Sequence, residues 1–305
     1  MIPYFDAHCD TALEVWRRSA ALYENGLHLD LKRLSAYGPC AQVFSICADY
    51  GPGMSEQTDK TLDYLLRELD ANSEIIRLCH SSVDIIQCAE AKKIAALISV
   101  EGAEKLDCSV ARLREAHAKG LRIVHLCWNH DNALTGAAMD SGSGLTEQGR
   151  GFVSAAQEVG VVIDLSHLSE RGFWDVLEIA RKPVLAGHSS AAALCPHPRN
   201  LTDAQFTALV NAGGVAGLNF YPEFLGLTRD VGAIVAHAEH WLSLGGEKAV
   251  CLGGDLDGIE TLPGGMTGVE SVGALYDAML RKNWSEDTVR DIFYNNLNDF
   301  FGRAL

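Results

Sequence analysis

Eight short apolar runs recur along the chain, and their alternation with amphipathic segments is the feature that most restricts its fold. The runs are rich in Val, Ile, Leu and Ala, and Gly, Asp, Asn or His bound them, as expected of buried strands. They lie near residues 2–8, 41–48, 94–102, 121–128, 161–167, 183–189, 213–221 and 249–258.

The segments between these runs have helical periodicity. Residues 59–78, DKTLDYLLRELDANSEIIRL, place four leucines on one face of a predicted helix. Other segments begin with a hydroxyl residue that can accept a hydrogen bond from the first helical turn. These candidate N-caps are Thr146, Ser169 and Thr202.

Strands that alternate with helices form parallel βαβ units. Eight strands close a (β/α)8 TIM barrel, and the usual length of about 250 residues plus insertions accommodates this chain. The alternative is a doubly wound open sheet, but no Gly-rich dinucleotide fingerprint follows the first run. We find no linker, low-complexity tract or internal repeat. The sequence therefore predicts an α/β protein, a TIM barrel that forms a single domain over residues 1–305.

Charge and cysteine content restrict the partners and the compartment. The chain has 25 Lys plus Arg against 40 Asp plus Glu, so its net charge of −15 disfavours nucleic acid and anionic membranes. Nine cysteines without a CxxC pair, and a start (MIPYFDAHCD) that does not resemble a signal peptide, predict reduced thiols and a cytoplasmic location. No run approaches the roughly 18 apolar residues of a membrane helix. A homodimer is compatible with the sequence, which does not determine the assembly.

Ionisable side chains stand where the predicted strands end. Five of the eight runs end in such groups: His8 with Asp10, then Glu101, His167, His188 and Asp255. The carboxyl ends of barrel strands converge at one mouth, so these residues are expected to meet in space. A single His at a strand end is usually a hydrogen-bonded core or loop residue. Groups at five separate ends instead favour one shared site.

The set suits divalent metal ions. His8 and Asp10 are two residues apart, so on a strand both side chains face the same side. Imidazole and carboxylate ligands suit zinc first, and manganese or cobalt as well. Glu101 can bridge two ions about 3.5–4 Å apart, and Asp255 can then accept a proton from hydroxide generated between them. The predicted ligands of the two ions are His8, Asp10, Glu101, His167 and His188.

Other histidines are assigned structural positions. His237 and His240 lie at i and i+3 of a helical segment, and a solvated helix face explains both. His125 follows Ile123 and precedes Cys127 in its run, so it is expected to line the barrel.

Several motifs occur in the order of a known family. They are DAHCDT, SVEGAE, VVIDLSHLSE, GHSSA, PRNLTD, NFYPEF, GGDLDG and RKNWSEDTVRDIFYNNLNDFF. The most specific is DLSH followed by GHSS, with His188 placed 21 positions after His167, and then by RN. Over essentially its whole length the chain resembles the membrane (renal) dipeptidase family, the M19 metallopeptidases of the amidohydrolase superfamily.

The resemblance implies a role for each ligand. His8 and Asp10 are similar to the pair on the more buried ion of the family, Glu101 to its bridging carboxylate, and His167 and His188 to ligands of the second ion.

The resemblance also implies a proton carrier and a substrate anchor. Asp255 is similar to the aspartate that handles the proton of the bridging water, and Asp257, two residues on, is the alternative. Arg199 resembles the arginine that binds the C-terminal carboxylate of the substrate, a task suited to a planar guanidinium. From the residues alone, Arg199 would be a surface arginine.

The chain departs from the family after the fourth run. Mammalian members have a substrate-contacting His there, but Trp128 occupies the aligned position and His130 follows two residues later. Either His130 polarises the scissile carbonyl, or the site works without an imidazole at this point. Trp128 and His130 are therefore candidate substrate-binding residues, and His130 is a candidate catalytic residue with Asp255 and Glu101.

The resemblance implies a binuclear dipeptidase that uses a metal-bridging hydroxide on short substrates with a free C-terminal carboxylate, both L,L and L,D dipeptides. Alternatives are another amidohydrolase-type metal hydrolase, including one that acts on N-acyl amino acids, and a barrel that binds metal or peptide without turnover. Branches of the superfamily that bridge their metals with a modified lysine on strand four are disfavoured, because LRIVHLCWN contains no Lys.

Overall fold

The computed structural model describes residues 1–305. Its strands are β1 Tyr4–Cys9, β2 Cys40–Ile46, β3 Ile76–Leu78, β4 Ile94–Val100, β5 Leu121–His125, β6 Val162–Asp164, β7 Leu185–Ser189, β8 Val215–Leu218 and β9 Val250–Leu252. Its α-helices are α1 Thr11–Arg18, α2 Leu31–Leu34, α3 Met54–Ala71, α4 Ser82–Ala91, α5 Val110–Ala118, α6 Glu147–Val159, α7 Glu170–Ile179, α8 Asp203–Asn211, α9 Val231–Ser243, α10 Val272–Arg281, α11 Glu286–Arg290 and α12 Asn296–Ala304.

Eight of the strands close a parallel barrel. The hydrogen-bonded order is β2, β1, β9, β8, β7, β6, β5 and β4, and β4 pairs again with β2 over residues 95–100 and 41–46. Every pair is parallel, as helical crossovers between successive strands require. The predicted (β/α)8 TIM barrel is confirmed.

The short strand β3 is a correction to the predicted helix over residues 59–78. That helix, α3, ends at Ala71, and Ile76–Leu78 instead pair with residues 94–96 at the start of β4. Ile76 is buried there. A β-branched side chain packs well on a pleated surface, so tertiary pairing outweighs the helical periodicity that precedes it.

Side-chain caps begin the three helices for which an N-cap was predicted. Each predicted N-cap hydroxyl accepts a hydrogen bond from the amide three residues later. These residues are Thr146, Ser169 and Thr202. None of the helices combines the length and the apolar character needed to cross a membrane.

The C-terminal helix closes one end of the barrel. Phe301 of α12 stacks on Phe5 of β1 with ring centroids 5.5 Å apart, and Tyr294 lies 5.7 Å from the same ring. Both belong to a buried cluster that includes one or more apolar side chains from each of the eight barrel strands. Because this end is filled, the barrel opens only where the strands end, which is where the predicted site residues lie.

Two strands carry one extra residue near that open mouth. Residues 6–9 of β1 are aligned with 42–44 of β2, and residues 186–189 of β7 with 216–218 of β8. Each is a β-bulge, a local irregularity that re-aims the side chains it contains. His8 and His188 lie within these bulges.

The expectation of a solvated face at His237 is wrong. This side chain on α9 is buried, and its Nδ1 accepts a hydrogen bond of 2.9 Å from the amide of Ala191. Burial lowers the pKa of His237 to about 4, so the ring stays neutral and can accept this bond. His237 thereby fastens α9 to the segment that leads from β7 to Arg199. The partly exposed His240 pairs with Asp203.

Candidate metal centre

The structure brings the predicted ligands together at the open mouth. His8 and His188 lie within β1 and β7, whereas the other members directly or closely follow a strand. Asp10 follows β1, Glu101 follows β4, and His167 is three residues beyond β6. All five side chains are buried, the most accessible of them being Asp10 at 7% exposure.

Glu101 stands at the centre of this group. Its Oε1 lies 2.9 Å from His167 Nε2, 3.4 Å from His188 Nε2 and 3.5 Å from His8 Nε2. Asp10 Oδ2 lies 3.6 Å from His8 Nε2. Two sets of potential ligand atoms result, each within 4.8 Å of one another: Glu101 with His167 and His188, and His8 with Asp10 and Glu101. Glu101 is therefore shared by two adjoining sets.

The donor atoms fit divalent ions. His8 Nε2 and Asp10 Oδ1 are buried without a hydrogen-bond partner, and the Nε2 atoms of His167 and His188 face each other at 3.0 Å. A buried polar group without a partner costs about 1–3 kcal/mol. Imidazole nitrogens and carboxylate oxygens converging in this way form the type of donor set that zinc and similar ions prefer.

His125 lies within the barrel beneath this group. Its ring centroid is 5.3 Å from that of His8, and it could join His8 and His188 in a third ligand set. That set reuses two ligands of the other sets, so it competes with them. His125 also has neighbours of its own, since its Nε2 lies 3.2 Å from Asp164 Oδ2 and its Nδ1 3.2 Å from the carbonyl oxygen of Val100.

Asp255 and Asp257 have different surroundings. Asp257 accepts hydrogen bonds of 2.6 Å from both Thr11 Oγ1 and the His28 amide, so its two carboxylate oxygens are engaged. Asp255 Oδ2 accepts a bond from Asn219, and its Oδ1 lies 3.8 Å from His8 Nε2. Burial raises the pKa of Asp255 to about 7, opposed by the nearby His8. Asp255 therefore has one carboxylate oxygen without a hydrogen-bond donor, whereas both oxygens of Asp257 are engaged.

Three of the nine non-glycine residues with a left-handed backbone lie at the mouth. His167, Asp255 and Asp257 adopt left-handed conformations with φ of 71°, 59° and 68°. Each such conformation costs of order 1–3 kcal/mol and persists only where the surrounding structure enforces it, commonly at functional sites.

Arg199 is buried, in contrast to the surface position expected from the residues alone. Its side chain is 6% exposed, its Nη2 donates to the carbonyl of His188 at 3.4 Å, and its guanidinium lies 5.7 Å from the Phe224 ring. It forms no ion pair with any carboxylate of the chain, and burial lowers the pKa of its guanidinium, opposed by the nearby Asp255 and Glu101. A buried cation without a counterion is costly, so this one is suited to an anionic ligand.

Trp128 and His130, which follow β5, have different surroundings. Trp128 lines the cavity, and its indole lies 5.2 Å from the ammonium of the buried Lys105. His130 does not line the cavity. Its side chain is 51% exposed, and its Nδ1 lies 3.7 Å from Asp140 Oδ2. Its ring packs against Tyr50 at a centroid distance of 4.7 Å, so His130 contacts a residue of the cavity lining but lies outside both ligand sets.

Two asparagines that lie near the ligands were not identified from the sequence. Asn129 Oδ1 lies 2.9 Å from His167 Nδ1, and this contact directs the other ring nitrogen of His167 toward Glu101. Asn219 holds Asp255. Asn129 directly follows the predicted strand near 121–128, and Asn219 lies near the end of the one near 213–221, so the strand-end rule could have found both. It was applied only to ionisable residues.

Three of the predicted ligands, Asp10, Glu101 and His167, line a cavity of about 660 Å³, a volume typical of small-molecule sites. Its lining includes Asp10, Glu101, Trp128, His167, Arg199 and Asp255. Tyr50, Met139, Tyr221 and Phe224 contribute apolar surface.

Comparison with known proteins agrees with this geometry. The family model for membrane dipeptidase, peptidase family M19, matches residues 1–302. An uncharacterized protein in the pqqA 5′ region of Klebsiella pneumoniae is 35% identical over 246 residues, which cover 76% of this chain and 90% of that protein. Dipeptidase tcpJ of Claviceps purpurea (strain 20.1) is 29% identical over 287 residues, covering 88% of this chain and 68% of that enzyme.

A solved structure matches the whole fold. The metallo peptidase from Rhodobacter sphaeroides, liganded with a phosphinate mimic of the dipeptide L-Ala-D-Ala, superposes with a TM-score of 0.92 at 27% identity. The match covers 100% of this chain and 99% of that one. With a family model that spans nearly every residue and a buried donor set at the barrel mouth, the chain belongs to the membrane dipeptidase family, peptidase family M19, and is a metallo-dipeptidase.

Proposed function

We propose that the protein is a binuclear dipeptidase that hydrolyses L,L and L,D dipeptides with a free C-terminal carboxylate, and that its two ions are zinc. The observation that carries the proposal is that two ligand sets share Glu101 on the floor of a cavity whose wall includes the unpaired cation Arg199. The L,D part draws on the Rhodobacter sphaeroides relative, whose ligand mimics L-Ala-D-Ala.

The ligand roles follow the two sets. His8 and Asp10 would hold one ion, His167 and His188 the other, and Glu101 would bridge them. When bound, such ions make a water molecule nucleophilic near neutral pH and polarise a substrate carbonyl. The contact from Asn129 keeps the ring of His167 oriented toward Glu101.

Asp255 would carry the proton in the reaction. Asn219 holds its Oδ2, which leaves Oδ1 on the side of His8 and the cavity free to accept a proton. The same group would then deliver that proton to the leaving amine, acting as general base and then general acid.

Arg199 would select substrates by their terminal carboxylate. A buried guanidinium can bind a carboxylate through two parallel hydrogen bonds, which fixes the position of the peptide bond as well. Trp128 would form part of the wall beside the substrate. His130 has no contact in this scheme, because its side chain lies outside the cavity lining.

A hydrolysis screen tests the proposal. The wild-type protein is assayed against L,L and L,D dipeptides after chelation and again after zinc is restored, with amines measured as product. We expect turnover of both classes, loss of activity on chelation and recovery with zinc. Activity that survives complete removal of metal would refute the metal-dependent mechanism, and turnover of only one stereochemical class would narrow the substrate assignment.

Replacing Arg199 with Ala should raise KM for free dipeptides by about 30-fold or more, because losing one partner of a buried charge pair costs about 2 kcal/mol or more. Dipeptide amides, which lack the carboxylate, should be affected far less. Arg150→Ala is the control, because this partly exposed arginine pairs with Asp175 and Glu178 away from the cavity. An equal rise in KM for free and amidated substrates would contradict the assigned role.

A further inference from the structure

Two fully buried aspartates lie below the ligands without belonging to either ligand set. Asp164 ends β6, three residues before His167. Its Oδ1 accepts hydrogen bonds from the amides of Ser166 at 2.8 Å and Gly187 at 3.0 Å, and its Oδ2 lies 3.1 Å from the Gly187 amide. These two amides immediately precede His167 and His188. One carboxylate therefore holds the backbone beside both ligands of one predicted ion.

Asp6 makes the corresponding contacts on the other side of the centre. Its Oδ1 accepts a bond of 2.9 Å from the amide of His8, and its Oδ2 a bond of 2.8 Å from the amide of Gly254. Gly254 immediately precedes Asp255. Like Asp164, Asp6 joins the end of its own strand to a second strand end that carries a functional side chain.

Both aspartates act at the β-bulges of the barrel. The amide of His8 lies in the bulge of β1, and the amide of Gly187 lies in the bulge of β7. A bulge disturbs the regular ladder of backbone hydrogen bonds and leaves the extra residue unpaired. A carboxylate that accepts from these amides stabilises the irregular backbone and therefore the direction of the ligand side chain.

Glycine allows each carboxylate to approach the neighbouring strand. A Cβ atom at Gly187 would lie 2.3 Å from Asp164 Oδ2. At Gly254 it would lie 3.0 Å from Asp6 Oδ2 and 2.7 Å from a ring carbon of Phe220. Any larger residue at position 187 would therefore displace the carboxylate.

The residues that follow two of the bonded amides have strained backbones. His167 and Asp255 have φ of 71° and 59°, conformations that L residues seldom adopt. The bonds from Asp164 to the amide of Ser166 and from Asp6 to the amide of Gly254 fix the chain one residue earlier. These bonds are part of the structure that enforces the two conformations.

We propose that Asp6 and Asp164 are a matched pair of positioning residues, each of which holds two strand ends so that the metal ligands and the proton carrier keep their directions. Asp164 would position His167 and His188, and Asp6 would position His8 and Asp255. The inference rests on the ligand assignments of the proposed function. At Asp6 the two amides bond different carboxylate oxygens, so the NH2 group of an Asn would oppose one of them. At Asp164 both amides bond Oδ1, and the NH2 group of an Asn would instead replace Oδ2, which lies 3.1 Å from the Gly187 amide and 3.2 Å from His125 Nε2.

Metal affinity in Asp164→Asn tests the proposal. Zinc dissociation constants are measured by competition with a chromophoric chelator, and the cobalt-substituted protein provides an absorption spectrum of the ligand field. We expect at least one ion to bind about 10–100-fold more weakly than in the wild type, the range for residues that orient metal ligands, with a changed cobalt spectrum. Asp6→Asn is expected to lower kcat with little change in KM, because it displaces Asp255.

Two further variants separate positioning from folding. Gly187→Ala keeps every charge but displaces the Asp164 carboxylate, so it should weaken the same ion. Asp175→Asn is the matched control, a buried aspartate that accepts the Leu145 amide at 2.9 Å and whose substitution should leave zinc affinity unchanged. Thermal unfolding of each apo protein records any loss of stability.

The outcomes distinguish this inference from the proposed function. Zinc affinity and cobalt spectra that are the same in Asp164→Asn, Gly187→Ala and the wild type would overturn the positioning role. An equal loss of affinity in Asp175→Asn would overturn it too, because the effect would then be general destabilisation. A wild-type protein that binds only one ion would refute the binuclear centre, while the affinity of that ion in the variants would still decide the role of Asp164.

Discussion

Asp255→Asn is expected to lower kcat by about 10²–10⁴-fold, the usual contribution of a general acid–base group, while both ions stay bound. The amide cannot accept the proton that the carboxylate receives, yet it has nearly the same shape and can still pair with Asn219. Because Asp255 belongs to neither ligand set, its loss should not reduce the metal content. The checks are steady-state kinetics with a dipeptide and metal analysis of the same sample.

Asp257→Asn provides the matched control. Asp257 is two residues away and shares the left-handed backbone, but hydrogen bonds from Thr11 and the His28 amide occupy its carboxylate. We expect this variant to lose stability and to keep kcat within about tenfold of the wild type, because these bonds are structural. If Asp257→Asn lost far more activity than Asp255→Asn, the proton carrier would be the other aspartate.

Glu101→Gln is expected to weaken metal binding by more than about 100-fold and to reduce hydrolysis to the background rate. The reason is that Glu101 is the only side chain common to the His8–Asp10 set and the His167–His188 set, so one substitution affects both. Loss of a residue that only orients a ligand costs 10–100-fold in affinity, and loss of a shared ligand should cost more. Metal titration of the chelated variant measures the effect.

Glu104→Gln is the control for this experiment. Glu104 is a buried glutamate on the same loop, where it accepts from the Trp128 amide at 3.2 Å and pairs with Lys105. It belongs to neither ligand set, so its substitution should leave two ions bound. Glu101→Gln protein that still held two ions at wild-type affinity would show that the carboxylate does not bridge them.

The barrel and much of its mouth could be predicted because they depend on local patterns. Apolar runs of strand length mark the eight barrel strands, and the parallel order then requires their carboxyl ends to meet. Glu101 and His188 are 87 positions apart, yet the strand-end rule places both at the mouth. There Glu101 Oε1 lies 3.4 Å from His188 Nε2. The resemblance to the family assigned roles to these residues but not their geometry.

The errors arose where long-range packing decided the outcome. His237 has the spacing of a surface helix residue but is buried, because the loop after β7 presents the Ala191 amide to it. The burial of Arg199, which the residues alone placed at the surface, depends on the path of the loop after β7, and this path has no repeating pattern in the sequence. Ile76–Leu78 form a strand because residues 94–96 of β4 precede the stretch that pairs with β5, which leaves that side of β4 open to them.

Local patterning alone was enough to locate the eight barrel strands, to show which strand ends carry ionisable side chains, and hence to predict the type of chemistry at the mouth. Only the folded chain decided how those side chains are aimed. The choice between Asp255 and Asp257, the burial of Arg199 and the bonds of Asp6 and Asp164 to neighbouring strands all depend on contacts between residues far apart in the sequence. The physical reason is that strand propensity is a property of a few consecutive residues, whereas the direction and charge state of a buried polar group depend on every partner that packing brings to it.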